Sequence, residues 1–264
     1  MSVLKRNNVH VRGQGKPMMF VHGFGCDQNM WRLLVPHFEQ RYKIILVDLV
    51  GSGTSDLSAF DRRKYSSLHG YADDICEVLA ETADKPAVLV GHSVSAMIGL
   101  LANLKCPERF ASQIMVAPSP CYINDKDYFG GFERADIEGL LETLESNYLG
   151  WSSNMAPVIM GAPGQPELAA ELTNSFCRTD PDIARHFARV TFMSDHRADL
   201  PRLPAPSLIL QCSDDVIAPT AVGEYMRKTI PHGTLRVIDN VGHCPHLSAP
   251  GASIAAMEDF LTLH

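Results

Sequence analysis

The sequence predicts an α/β domain built on a mostly parallel sheet, and three observations predict it. Short apolar runs at residues 18–22, 43–48, 87–91, 113–117, 207–212 and 235–238 alternate with helix-like segments, the βαβα order of an α/β layer. Each run is almost continuously apolar, as strands covered on both faces read. A length of 264 residues, 45% apolar and 20% charged, is enough for a large core without metal or disulfide staples.

The elements follow in order. Residues 9–12 alternate, which predicts an antiparallel edge strand. A helix begins after Ser66 or Ser67, either of which can cap it. Leu68, Tyr71, Ala72, Ile75, Val78, Leu79 and Thr82 fall on one helical face, and Asp73, Asp74, Glu77 and Glu81 on the other. Residues 94–104 are apolar almost all round, which predicts a buried central helix. Helices over 219–228 and 252–262 complete the alternation. Residues 119–200 break it. They read as several helices without a sheet strand, and they hold nine of the chain's twenty aromatic residues. Such a concentration predicts a helical cap whose underside lines an apolar pocket, with other rings packing the cap's own core. The domain reading is therefore a core of 1–118 and 201–264 with a cap inserted at 119–200.

Charge and cysteine content exclude several classes. The net charge of −7 and the scattered basic residues disfavour a nucleic-acid partner. The densest basic run, Arg62-Arg63-Lys64, reads as a solvated loop. No apolar run approaches the length of a membrane span, and the first residues lack the apolar stretch of a secretory leader. Seven cysteines, odd in number, widely spaced and without a CxxC, predict free buried thiols in a reducing cytoplasm rather than a disulfide framework or a zinc site.

The strongest chemical signal is AVLVGHSVSAMIG at residues 87–99. An apolar strand runs into Gly-His-Ser-Val-Ser and directly into an apolar helix, the strand–turn–helix context of a nucleophile elbow. Gly91 fits the G-x-S-x-G pattern, and Ser95 departs from it while staying small. The helix N-terminus would favour negative charge forming at Ser93. A serine needs a base. His243, in VGHCPH at 241–246, follows the last strand and is favoured, with His246 as its rival. A His243/His246 metal pair lacks helical spacing and a third ligand. The acid that holds the imidazole is Asp215, just past the strand at 207–212, with Asp214 as the alternative. The chain order Ser93, Asp215, His243 is that of α/β-hydrolases. Two donors are needed for an oxyanion. The N–H of Val94 is one, and the N–H of Phe24, in the loop HGFGC at 22–26, is the other. His22 reads as structural. The segment DLVGSG at 48–53 lacks the third glycine of a dinucleotide fingerprint, since position 56 is Asp56, and reads as a turn.

Taken together, HGFGCDQ at 22–28, DLVGSG at 48–53, GHSVSAMIG at 91–99, PSPCY at 118–122, GGFE at 130–133, SDHR at 194–197 and GHCPH at 242–246 make the chain resemble the RsbQ-type α/β-hydrolases. These are bacterial stress-response regulators related to the plant strigolactone and karrikin receptors. Ser95 resembles the plant form; the bacterial regulator more often has glycine there. The resemblance spans essentially the whole chain. It implies a four-helix cap over a deep apolar pocket, Ser93, Asp215 and His243 as the triad, and no cofactor. It also implies that Phe24, Phe132, Trp151, Met155, Phe176 and Phe192 line or flank the pocket, Met155 standing where relatives often carry an aromatic.

Two functions are therefore expected in competition. The first is a cytoplasmic serine hydrolase of small apolar esters or lactones. The second is a ligand-gated signalling receptor whose output is protein binding; by resemblance, its partner would be a PAS-domain phosphatase. A carboxylate-dependent dehalogenase is excluded by serine at position 93.

Overall fold

The computed structural model describes residues 2–264. Seven strands form one sheet: β1 (His10–Arg12), β2 (Lys16–Val21), β3 (Tyr42–Val47), β4 (Ala87–His92), β5 (Phe110–Val116), β6 (Ser207–Asp214) and β7 (Gly233–Val241), in the order β1-β3-β2-β4-β5-β6-β7. As expected, β1 is the antiparallel edge, pairing with β3, and every other pair is parallel. The helices are α1 (Val3–Arg6), α2 (Val35–Phe38), α3 (Leu68–Thr82), α4 (Val94–Lys105), α5 (Arg134–Ser146), α6 (Tyr148–Met160), α7 (Pro166–Arg178), α8 (Pro181–Phe192), α9 (Thr220–Thr229), α10 (Pro245–Ser248) and α11 (Pro250–Leu261). None of them is long and apolar enough to cross a membrane.

Alternation along the central strands builds two cores. Met18, Phe20, Ile44, Leu46, Val88 and Val90 enter one with α11 and the helices α5–α8. Met19, Val21, Ile45, Val47 and Leu89 enter the other with α3, α4 and α9. Successive residues of a strand point to opposite faces, so a strand covered on both sides must be apolar throughout. Helix α4 is buried from Val94 to Asn103, which explains its apolar circumference. The strand β7 departs from expectation. It stands at the sheet's edge, and Val237 and Val241 are exposed. Helices α5–α8 occupy the connection from β5 to β6.

Three expectations are corrected. Neither serine caps α3 with its side chain: Ser67 stands at the N-cap without a capping bond, and Ser66 Oγ donates to the Arg63 carbonyl at 2.8 Å. Asp74 does not lie on the solvated face. It is fully buried, where Arg6 Nη2 and the Tyr65 hydroxyl donate to it at 2.7 and 2.8 Å and Lys64 Nζ also reaches it. Position 74 borders the buried stripe, three residues after Tyr71 and four before Val78, so flanking segments cover it. Lys64 is thereby drawn out of the solvated run. The seven cysteines are not all free: Cys76 of α3 and Cys106, which closes α4, form a disulfide with their Cα atoms 6.6 Å apart. Only the packing of α3 on α4 brings them together. Cys26, Cys121, Cys212 and Cys244 are free and buried, and Cys177 is free and exposed.

Removing one partner of a buried ion pair strands the other charges. Asp74→Ala should therefore cost about 3 kcal/mol of unfolding free energy, whereas Asp73→Ala, on the exposed face of the same helix, should change it by less than ~0.5 kcal/mol. Urea unfolding of both variants checks this, and equal losses would contradict it.

Candidate active site

The site grows from the end of β4. The chain turns so sharply between β4 and α4 that Ser93 takes φ +54°, ψ −122°, a left-handed conformation that a side-chain-bearing residue holds only when its surroundings enforce it. Its N–H donates to the Val116 carbonyl at 2.8 Å. At Gly91 a Cβ would stand 2.5 Å from the Ser95 carbonyl oxygen and 2.9 Å from the Ala96 nitrogen, so only glycine fits beneath the turn. Ser95, the departure from the general pattern, is buried and donates its hydroxyl to the His22 carbonyl. It ties the elbow to the loop after β2.

That loop lies against the nucleophile candidate. A Cβ on Gly23 would come within 3.3 Å of Ser93 Cβ, and Gly25 has φ +68°, so this path is open to glycine alone. Phe24 sits between them. Val94 opens α4, and first-turn N–H groups have no partner within a helix. His22 is structural, as read: the Leu49 N–H donates to its Nε2 at 3.0 Å, and its Nδ1 meets the Gly23 carbonyl at 2.8 Å.

His243 and Asp215 complete the cluster. The Asp215 carboxylate lies 2.7 Å from His243 Nδ1, and His243 Nε2 lies 2.8 Å from Ser93 Oγ, all three residues buried. An ionised carboxylate can only accept, so Nδ1 carries the proton and Nε2 accepts from the serine hydroxyl. The other carboxylate oxygen accepts from the N–H groups of Ile217 and Ala218 at 2.8 and 3.1 Å. The alternatives separate cleanly. Asp214 uses its backbone carbonyl, accepting from the Gly242 N–H at 2.7 Å, while its side chain is exposed. His246 is buried beneath the site, its ring 4.8 Å from that of Trp31 and 4.5 Å from that of His92.

His92, His246 and Cys244 cluster behind His243, with donor atoms within 4.8 Å of one another. His92 donates from Nε2 to the His243 carbonyl at 2.9 Å, which holds the His243 backbone from below. Burial, reinforced by the neighbouring imidazoles, keeps His92 well below the usual histidine range. Burial, then His243 and Arg32, lowers His246 to about 3. Burial also pushes the thiols of Cys26 and Cys244 up, so they are neutral wall groups.

The cavity over Ser93 is narrow: the centre of a water-sized sphere can move through about 30 Å³ of it. Phe24, Phe176 and Phe192 line it. Phe132, Trp151 and Met155, which the resemblance has line or flank the pocket, are not on its wall. Trp151 stands one layer back, packing edge-on against Phe24 at 6.1 Å and against Phe176 at 5.5 Å. Phe132 and Met155 pack against the core. Ile159, Leu172, Tyr122, Thr191 and Ile217 hold the wall instead. Tyr122 had a sequence signal in PSPCY; the aliphatic wall residues and Thr191 had none. Burial raises the Tyr122 phenol to about 12, so it is a neutral hydroxyl.

The buried neutral histidines set a pH dependence. Unfolded, each binds a proton below pH about 6.5; the native state refuses it on His246 down to about 3. The unfolded chain thus holds more protons in this window, and stability falls as pH falls through it. His246 alone should cost about 2 kcal/mol between pH 7 and pH 5. Urea unfolding at both pH values should show a drop smaller by that amount in His246→Met; equal drops would refute it.

Comparison with known proteins follows this geometry. The model of the alpha/beta hydrolase family matches residues 18–257. A karrikin insensitive 2 receptor of Petunia hybrida is 38% identical over 257 residues, covering 97% of this chain and 95% of the receptor. The strigolactone esterase of Arabidopsis thaliana is 38% identical over 251 residues, 94% of each chain. The solved structure of a hydrolase from Oleispira antarctica superposes with a TM-score of 0.95 at 43% identity, covering 99% of this chain and 97% of that one.

Proposed function

The chain belongs to the alpha/beta hydrolase family and is a carboxylic ester hydrolase; we propose that it cleaves small apolar esters or lactones with Ser93 as nucleophile, His243 as general base and acid, and Asp215 as the group that orients His243. The supporting observation is the continuous hydrogen-bond chain from Asp215 through His243 to Ser93, at 2.7 and 2.8 Å, opening into an apolar cavity. Residues 119–200 are read as a cap on a core of 1–118 and 201–264.

Ser93 Oγ attacks the ester carbonyl as its proton passes to His243 Nε2. The oxyanion is held by the N–H groups of Phe24 and Val94. His243 then protonates the leaving alkoxide, giving an acyl-serine. Water attacks this acyl group, its proton going to His243, and the acid leaves as Ser93 regains its proton. Asp215, held by two backbone N–H groups, keeps His243 in the tautomer this requires and stabilises its charge.

A fluorophosphonate should label Ser93 and stop hydrolysis of p-nitrophenyl acetate; labelling elsewhere with Ser93 intact would reject the assignment. Asp215→Asn should lower kcat about 10⁴-fold, since it favours the wrong imidazole tautomer. The narrow cavity should make p-nitrophenyl acetate a better substrate than the octanoate by at least about tenfold in kcat/KM.

A second reading has its own support, the similarity to a receptor over nearly the full chain. In it the same cavity senses a ligand and the cap recruits a signalling protein. A ligand-dependent pull-down tests it: a partner captured by the wild type only with ligand would support it, and none under any ligand would count against it.

A further inference from the structure

We propose that Thr191 is a specificity-determining residue. Its hydroxyl supplies the hydrogen bond for a second oxygen of the substrate, an ether, ketone or hydroxyl oxygen beyond the scissile carboxyl group. The inference rests on the ester reading above and deepens it.

Thr191 lies near the end of α8, is 1% exposed, and lines the same narrow cavity as Ser93 and His243. Its Oγ1 is buried without a hydrogen-bond partner. That is unusual for this chain as well as in general. A serine or threonine inside a helix normally turns its hydroxyl back to the carbonyl four residues earlier. Thr82, Thr143, Ser152, Ser153, Thr173, Thr229 and Ser253 all do so, at 2.6 to 3.0 Å. Thr191 makes no such bond to Phe187, although the backbone offers the same acceptor.

Other buried polar atoms lack partners, but they do not compete for this role. Those of Trp31, Tyr71, Asn103, Gln113, Trp151, Arg185, Gln211 and His246 belong to residues off the cavity wall. Among the described residues, the wall holds two: Thr191 Oγ1 and His92 Nδ1. The second is an imidazole nitrogen packed close to Gly23, where a Cβ would stand 2.5 Å from it. Thr191 thus carries the orphan hydroxyl among the wall residues.

An unmade bond on a buried hydroxyl costs stability, and valine would fill nearly the same volume without that cost. A polar group left unpaired in an apolar pocket becomes a penalty against ligands that cannot pair it and a gain for those that can. The hydroxyl both donates and accepts, so the matching group is an oxygen on an otherwise apolar body. The surrounding wall of Phe24, Ile159, Leu172, Phe176, Phe192 and Ile217 excludes charged substituents.

The test uses the full-length protein and two isosteric pairs of p-nitrophenyl esters: butanoate with methoxyacetate, and pentanoate with 3-methoxypropanoate. Within a pair, an ether oxygen replaces one methylene. The quantity read is the ether-to-hydrocarbon ratio of kcat/KM, which cancels intrinsic reactivity when variants are compared on the same pair. Thr191→Val should lower that ratio about tenfold for at least one pair, with the change in KM. Thr191→Ser should keep it within about threefold of the wild type. Thr191→Val should also melt at a higher temperature than the wild type, because the orphan hydroxyl is gone. An unchanged ratio for both pairs in Thr191→Val, or the same fall in Thr191→Ser, would overturn the proposal. If the wild type turns over none of the four esters and a fluorophosphonate leaves Ser93 unlabelled, the ester reading itself fails, and this inference falls with it.

Discussion

The left-handed turn at Ser93 is the constraint on which the site depends. Holding a serine there costs of the order of 1–3 kcal/mol, and the surroundings offset it. The Ser93 N–H is bound to the neighbouring strand, α4 is buried along its length, and glycine lies beneath. The turn then ties two loops together through three of its side chains. His92 holds the backbone of His243, Ser93 meets its imidazole, and Ser95 holds the backbone of His22. His243, Ser93 and the loop that carries Phe24 are therefore registered to one another by the segment from Gly91 to Ser95.

Helices α6–α8 are registered to the same segment through Phe24. Its ring packs against Trp151 of α6, Phe176 of α7, and Phe187 and Phe192 of α8, at 5.8 to 6.1 Å between centroids. Polar ties reinforce this at α7: Arg32 makes a two-pronged ion pair with Glu171, and Ser175 Oγ donates to the Gly25 carbonyl. The loop that carries a proposed oxyanion donor is thus also the loop on which α6–α8 rest. Ligand bound in the cavity would press on both.

The sheet, the buried helix α4 and the proximity of Ser93, Asp215 and His243 were legible in the sequence because each rests on local pattern. Apolar runs mark strands, glycine and serine mark a tight turn, and an acid and a histidine follow the strands that carry them. The choice between His243 and His246, or Asp214 and Asp215, had no such pattern. One residue of rotation at the bulged end of β6 sends one carboxylate to solvent and the other to the imidazole. The resemblance had Phe24, Phe132, Trp151, Met155, Phe176 and Phe192 line or flank the cavity without separating the two; Phe24, Phe176 and Phe192 form the wall and Trp151 packs behind them, because membership of a pocket wall depends on which ring stands in front.

The sequence by itself determined the fold class and the kind of chemistry, since both follow from residue type at short spacing. Only the tertiary structure decided three things. Asp74 is a buried ion-pair centre, Cys76 meets Cys106, and Thr191, on the cavity wall, carries an unpaired hydroxyl. Each depends on what other segments bring to the same few ångströms, and burial and pairing between distant segments leave no trace in local sequence.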